Sequence, residues 1–272
     1  MLRRAAALAS ILLAAGTAGA AAQQYPMRTP APKTTSLPQL RALARTREIS
    51  ERFTMGVADE QRGEYAAAIP EFERIAALRP PEPEYSTAQY DLGIAYANTG
   101  RPADAAAAFQ SAIAADPGFL AAMANLIAVE LAAGNVNAAR AAADKFVKAA
   151  PDSARALYSR GIVALQQNDL ATARTDFSQL LKSDPRYALG HYDLGVTESR
   201  AGRWNSAERE FLLALDLAPG YARARFALGT VLLREGRRSD ARSQFDRVVR
   251  DPNGDVALQS LAQAMRDAIH AP

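Results

Sequence analysis

The residues able to do chemistry in this sequence are few in kind. Cysteine is absent, which removes disulfides, thiolate metal sites, a thiol nucleophile and a lipid-modified N-terminal cysteine together. The two histidines, His191 and His270, stand too far apart to suggest a ligand pair, and no GxSxG, Walker loop, HExxH or dinucleotide fingerprint occurs. Carboxylate pairs such as Glu71 and Glu73 are two residues apart, a spacing that turns them to different faces of a helix. We therefore expect no catalytic residues, no cofactor and no metal: not an enzyme. What remains is recognition chemistry. Phe53, Tyr90, Tyr158, Tyr192 and Phe226 recur at related spacings, with Ala124 where a further ring would fall, and Asp91, Asn125, Arg155, Asp193 and Arg223 accompany them. Rings with polar tips anchor an extended peptide or a partner helix well. The competing reading packs the same rings against neighbouring helices as core, least comfortably for the three tyrosines, whose hydroxyls need water or a partner.

The elements that position these residues are helical. Hydrophobic residues make up 49% of the 272, alanine dominates them, and aromatics are only 7%. Alanine has the highest helix propensity, and its small side chain lets helices approach closely. Runs of β-branched and aromatic residues that would support strands are scarce. Gly63, Gly100, Gly134, Asn168, Gly202 and Gly236 punctuate the chain at spacings of 37, 34, 34, 34 and 34. Asn is the one substitution expected in that series, because it also tolerates the left-handed conformation. Pro80, Pro117, Pro151, Pro185, Pro219 and Pro252 form a second series with the same period. Ala68, Ala105, Ala139, Ala173, Ala207 and Ala241 follow the turns by five residues, and Phe72, Phe109, Phe177, Phe211 and Phe245 come four later. Leu92, Leu126, Leu194 and Leu228, with Met55, precede the turns by eight, and Gly56, Gly93, Gly161, Gly195 and Gly229 by seven.

This 34-residue Leu-Gly, Ala, Phe, Pro pattern resembles the tetratricopeptide repeat (TPR) family over about residues 49–252. The resemblance implies an all-α, right-handed α-solenoid of about six TPR helical hairpins, with repeats near 49–82, 86–119, 120–153, 154–187, 188–221 and 222–252. In each hairpin a helix A crosses a helix B at the Gly and Ala positions, and the Phe is expected to fill the gap to the next hairpin. A single hairpin cannot bury its apolar face, so units stack around one shared core. The third unit departs most, with Ile127 in the Gly position and Ala143 in the Phe position; Phe146 is expected to restore the bulk. Residues 253–272 are expected to supply a capping helix and tail, with Val256, Leu258, Leu261, Met265 and Ile269 as its apolar stripe.

In this family the A helices line a concave surface, so the resemblance places Phe53, Tyr90, Asp91, Asn125, Arg155, Tyr158, Tyr192, Asp193, Arg223 and Phe226 on or near a partner-binding groove. Family members that hold chaperone tails grip a terminal carboxylate with a five-residue clamp. Asn125 and Arg155 match two of its positions, while Tyr90, Ile94 and Ser159 occupy the others, so that clamp is not expected.

Ahead of the array, residues 1–22 read as a secretory signal peptide, with Arg3 and Arg4, an apolar stretch from Ala5 to Ala15 and small residues up to Ala22. The alternative is an uncleaved membrane anchor. Residues 23–38 contain four prolines and read as a linker, with the array occupying 39–252. Cleavage near Ala22 would make the protein periplasmic or secreted and reduce its formal charge from +3 to +1, which argues against nucleic acid as a partner. Charge is nonetheless uneven: residues 48–116 hold 12 acids against 5 bases, and residues 221–250 hold 8 arginines against 3 acids. The expectation is a non-enzymatic scaffold of the bacterial cell envelope that binds a protein or peptide partner in the groove. Two alternatives stay open: head-to-tail association into a homo-oligomer, and weak contact of the basic C-terminal repeat, around Arg234, Arg237, Arg238 and Arg242, with an anionic envelope surface.

Overall fold

Thirteen α-helices and no strand make up residues 36–269, the part of the chain that the computed structural model describes. Residues 1–35, which include the segment read as a signal peptide, and the residues from His270 onward lie outside the described residues. In chain order the helices pair as α1 (Leu37–Gln61) with α2 (Tyr65–Leu78), α3 (Glu84–Asn98) with α4 (Pro102–Ala115), and α5 (Leu120–Ala132) with α6 (Val136–Ala149). They continue as α7 (Ala154–Gln166) with α8 (Leu170–Ser183), α9 (Ala188–Arg200) with α10 (Trp204–Leu217), and α11 (Ala222–Arg234) with α12 (Arg238–Val249). The last helix, α13 (Val256–Ala268), has no partner of its own and packs on α12.

The chain divides into two compact units, residues 1–44 and 45–272. Of the first, the described part is the start of α1. Helix begins at Leu37, inside the segment read as linker, because Gln39 turns back to accept hydrogen bonds from the Ser36 backbone N–H at 2.8 Å and its hydroxyl at 3.0 Å. That satisfies a group the first turn would otherwise leave without a partner.

The second unit is the solenoid. From α2 onward each helix packs on its neighbour in sequence, α1 meets α2 where Phe53 rests on Phe72, and α5, α7, α9 and α11 also touch one another in succession, so these A helices form their own layer. Two small-residue series make this possible. The turn residues Gly63, Gly100, Gly134, Gly202 and Gly236 have φ between +73° and +79°, and Asn168 takes φ +58° in the same role. The alanines at 68, 105, 139, 173, 207 and 241 are all fully buried at the helix crossings.

The phenylalanines add a contact that the sequence expectation does not include. Each lies over the glycine of its own hairpin. A Cβ added at Gly56, Gly93, Gly161, Gly195 or Gly229 would sit only 2.6–2.8 Å from the ring of Phe72, Phe109, Phe177, Phe211 or Phe245. Real Cβ atoms do not tolerate such a distance, so the bulky ring on helix B dictates glycine on helix A. Burying each ring contributes about 2–3 kcal/mol. The third hairpin reaches the same packing by exchange: Ile127 brings bulk from α5, Ala143 gives way on α6, and both are buried. Phe146, one turn further along α6, is fully buried and keeps one such ring in every hairpin.

At the C-terminal end the apolar stripe of α13 is rotated from the sequence reading. Leu258, Ala262, Met265 and Ile269 turn toward the core, whereas Val256 and Leu261 are exposed. The helix starts on a capping bond, in which Asp255 accepts from the Leu258 N–H at 3.0 Å.

Candidate functional site

On the A-helix layer the aromatic residues form a ladder with two rails. The first rail is the sequence-predicted one. Phe53, Tyr90, Tyr158, Tyr192 and Phe226 are all half-buried, and each rests on the fully buried Phe of its own helix B, with ring centroids 5.4–6.2 Å apart. Ala124, in the gap of the ladder, is buried. The second rail was missed: Phe119, Tyr187 and Tyr221, each immediately preceding an A helix. Tyr90 meets Phe119 at 4.8 Å, Tyr158 meets Tyr187 at 5.7 Å, and Tyr192 meets Tyr221 at 5.0 Å. Phe119, Tyr187 and Tyr221 fall on the 34-residue period, which is the signal that would have found them.

The rings are thus both core and surface: the inner edge packs on the B-helix phenylalanine and the outer edge is open. Their polar tips decide what that open edge can do. Around α3, α5 and α7, Asn125 donates to the Tyr90 hydroxyl at 3.3 Å, and Arg155 donates to the Asn125 side-chain oxygen at 3.4 Å. These three polar side chains answer one another, and Asp91 lies beside them on α3, half-buried.

Around α7, α9 and α11 the outcome is different. Asp193 has only 6% of its surface exposed. Tyr158 donates a hydrogen bond to its carboxylate, yet the Oδ2 oxygen is buried without any partner. Burial raises the pKa of Asp193 to about 6, and the Tyr158 hydrogen bond opposes the rise. Burial, joined by the nearby Asp193 charge, also pushes up the phenols of Tyr158, Tyr187 and Tyr192. Tyr221 is pushed up to about 12, first by burial and then by Tyr192 and Asp193. Arg223, exposed at the start of α11, works the other way on Tyr192 and Tyr221. The structure therefore gathers Tyr158, Tyr192, Asp193 and Arg223 into one cluster with Tyr187 and Tyr221, and Tyr90, Asn125 and Arg155 into another. Phe53 and Phe226 stand at the two ends of the ladder, in neither cluster.

The remaining titratable groups singled out by type are tied into the scaffold. His191 is buried, with Nδ1 2.7 Å from Glu210 and Nε2 3.1 Å from the Pro185 carbonyl. Glu71 pairs with Arg52 at 2.8 Å, and Glu73 accepts from the Tyr96 hydroxyl at 2.5 Å. Among the described residues, no group of three metal-ligating side chains is close enough to hold an ion.

Stacked two-helix units with Gly under Phe and a left-handed residue at each turn define the class: an α-solenoid of helical hairpins. Sequence comparison then matches the tetratricopeptide repeat family over residues 53–118, 126–188 and 192–256, and the chain belongs to that family. No protein of curated function matches the sequence. Among solved structures, a tetratricopeptide repeat protein from Parabacteroides merdae is similar at 16% identity and a TM-score of 0.70, covering 82% of this chain and 90% of that one. PilF of Pseudomonas aeruginosa is similar at 16% identity and a TM-score of 0.63, over 81% of this chain and 99% of its own. A TPR protein of Thermus thermophilus shares 21% identity at a TM-score of 0.55, over 66% and 98%. At these identities the likeness is one of fold. Proteins of this family are in general non-enzymatic scaffolds that bind other proteins, and in that general sense this chain is an interaction scaffold.

Proposed function

We propose that the chain binds a segment of a partner protein along its A-helix face, and that the partner places a basic side chain against Asp193. The observation carrying this reading is the buried Oδ2 of Asp193, without a donor, amid four tyrosines. A buried acceptor left unsatisfied costs about 1–3 kcal/mol, and more when charged. A lysine or arginine from a partner would recover that cost, and tyrosine faces add favourable contact to a cation. The open edges of Tyr158, Tyr187, Tyr192 and Tyr221 supply the apolar bed on either side, and reaching the carboxylate asks only that a half-exposed ring turn aside, a fast side-chain motion. The setting in the bacterial cell envelope, after removal of residues 1–22, is part of the same proposal and rests on the character of that leader.

The test is selection from a random peptide library displayed against the folded protein. The wild type should enrich peptides with one lysine or arginine flanked by apolar residues. Asp193→Asn should lose the basic preference while keeping its fold by circular dichroism, and Tyr158→Ala with Tyr192→Ala should lose binding as a whole. Equal enrichment of basic peptides by the wild type and the Asp193→Asn variant would refute the role given to Asp193.

A further inference from the structure

A second site lies at the far end of the solenoid, on helix B of the last hairpin. On α12 the apolar residues Ala241, Phe245 and Val248 are spaced by four and three and face the core. The opposite half of the helix carries Arg238, Ser239, Arg242, Ser243, Arg247 and, just beyond its end, Arg250. With Asp246 and with Ile269 just past the end of α13, these line a cleft of about 720 Å³. Asp246 is already engaged, bonded by Arg266 of α13 at 3.1 Å. Arg237 next door is spent as well, on Glu208 at 2.8 Å and Asp240 at 3.0 Å. Arg238, Arg242, Arg247 and Arg250 differ from these: among the described residues no carboxylate pairs with any of their side chains, and no side-chain hydrogen bond holds them. Arg247 also bears on Arg225, whose pKa is lowered first by burial and then by this like charge. Four guanidinium groups without a carboxylate partner among the described residues thus share one concave surface with two serine hydroxyls and Asp246, which Arg266 already holds.

We infer that this cleft is a binding site for a linear polyanion carrying phosphate groups. Each guanidinium presents five N–H donors in a planar fork, so the four offer about twenty donors that ask for closely spaced acceptor oxygens. Phosphate supplies three such oxygens per group and accepts the fork in bidentate fashion. From Arg238 to Arg250 the helix rises about 18 Å, which one phosphate cannot span and a chain of several can. A cleft walled by serines, with the half-buried Ile269 as its one apolar lining side chain, favours a solvated chain over insertion into lipid. The inference rests on α12 and α13 alone and stands or falls apart from the peptide reading at Asp193.

Binding of the full-length chain to fluorescently labelled inorganic polyphosphate tests it, with phosphatidylglycerol vesicles and poly-glutamate as separate arms. Polyphosphate should bind with a log–log salt slope on the order of −3, as expected when about four cations are neutralised along a flexible polyanion. Arg242→Ala with Arg250→Ala, on the exposed face and with an unchanged melting curve, should weaken binding at least tenfold and roughly halve the slope. Arg242→Lys with Arg250→Lys should restore the slope but only part of the affinity. Three results would each overturn the inference: no polyphosphate binding at low salt, equal binding by the alanine variant, or binding confined to the vesicle or poly-glutamate arm.

Discussion

Two places on the A-helix layer are built from the same parts and end in different states. Tyr90, Asn125 and Arg155 in one, and Tyr158, Asp193 and Arg223 in the other, occupy equivalent positions, each pair of residues separated by 68, two full repeats. In both, a tyrosine from one hairpin meets a polar side chain of the next, with an arginine entering from the hairpin beyond. With Asn at the centre, both a donor and an acceptor are available, and the amide satisfies tyrosine and arginine together. With Asp, only acceptors are available; Tyr158 satisfies one oxygen, and the other is left buried and unpaired. The difference lies in the arginine: Arg155 reaches the central side chain of its site, whereas Arg223 stays exposed beside Tyr192 and Tyr221 and leaves Oδ2 of Asp193 without its donor. Repeat architecture fixes where side chains stand, and burial together with the reach of one arginine decides which of those positions is left wanting a partner.

The strongest way to break the comparison is to remove the platform under one side. Gly195 lies beneath Phe211, on which Tyr192 rests, and any Cβ there would come within 2.7 Å of the ring. Gly195→Ile should destabilise the protein by about 3 kcal/mol or more through overpacking, read as a fall in the urea midpoint. The third hairpin shows how the same bulk is accommodated, with Ile127 opposite Ala143. Adding Phe211→Ala to Gly195→Ile copies that exchange and should recover more than half of the loss, a non-additivity expected of residues in contact. Purely additive losses in the double variant would show that the third hairpin's packing depends on something other than the exchanged pair.

The charge at the centre comes next. A carboxyl that titrates near 4 in the unfolded chain and near 6 in the fold is bound to more protons when folded. Its relative stabilisation is therefore complete below about pH 4 and lost as pH rises through 6, so at pH 8 Asp193 costs about 2–3 kcal/mol. Asp193→Asn should leave stability at pH 4 nearly unchanged and raise it by about that amount at pH 8, making the second site resemble the first. Glu60, pushed up to about 7 by burial with one unpaired oxygen, has the same sign and remains in the variant, so a smaller pH dependence should persist. Urea denaturation of both proteins across pH 4–8 measures the difference. An equal gap at every pH would mean that Asp193 does not titrate in this range.

Much of the platform could be read from the sequence because its signals are local. A left-handed turn needs Gly or Asn wherever it occurs, and Asn168 meets that need with φ +58°. The alanine series marks the crossings for the same reason: a larger side chain has nowhere to go. The close approach of each phenylalanine ring to its glycine is less legible because it depends on contact between helices. Gly and Phe read as two separate series, although Ile127 and Ala143 already showed that they vary as a pair. Phe119, Tyr187 and Tyr221 sit at turns, where helical periodicity carries no signal. The two states of the polar centre lay further still from the sequence. Asp91 and Asp193 hold the same repeat position, but the first is half-buried and the second almost sealed, because the rings that crowd Asp193 come from three hairpins.

The finest comparison removes the hydroxyl from each tyrosine. Tyr90→Phe takes one long hydrogen bond from Asn125, whose side chain is half-buried and keeps Arg155 as a partner, so the loss should be about 0.5–1 kcal/mol at any pH. Tyr158→Phe takes the donor from a carboxylate that has no other. At pH 8 the loss should be about 1–3 kcal/mol, since a carboxylate in a nearly sealed site then loses the hydroxyl that favours its charged form while Oδ2 is already without a donor. Below pH 4 it should shrink toward the Tyr90→Phe value, because a protonated Asp193 carries no charge to be stranded. In an Asp193→Asn background the pH dependence of Tyr158→Phe should vanish, and the two tyrosines should become alike in cost. If Tyr158→Phe were instead as mild as Tyr90→Phe at every pH, the Asp193 carboxylate would have to be satisfied by something other than Tyr158, and the contrast between the two sites would reduce to their burial alone.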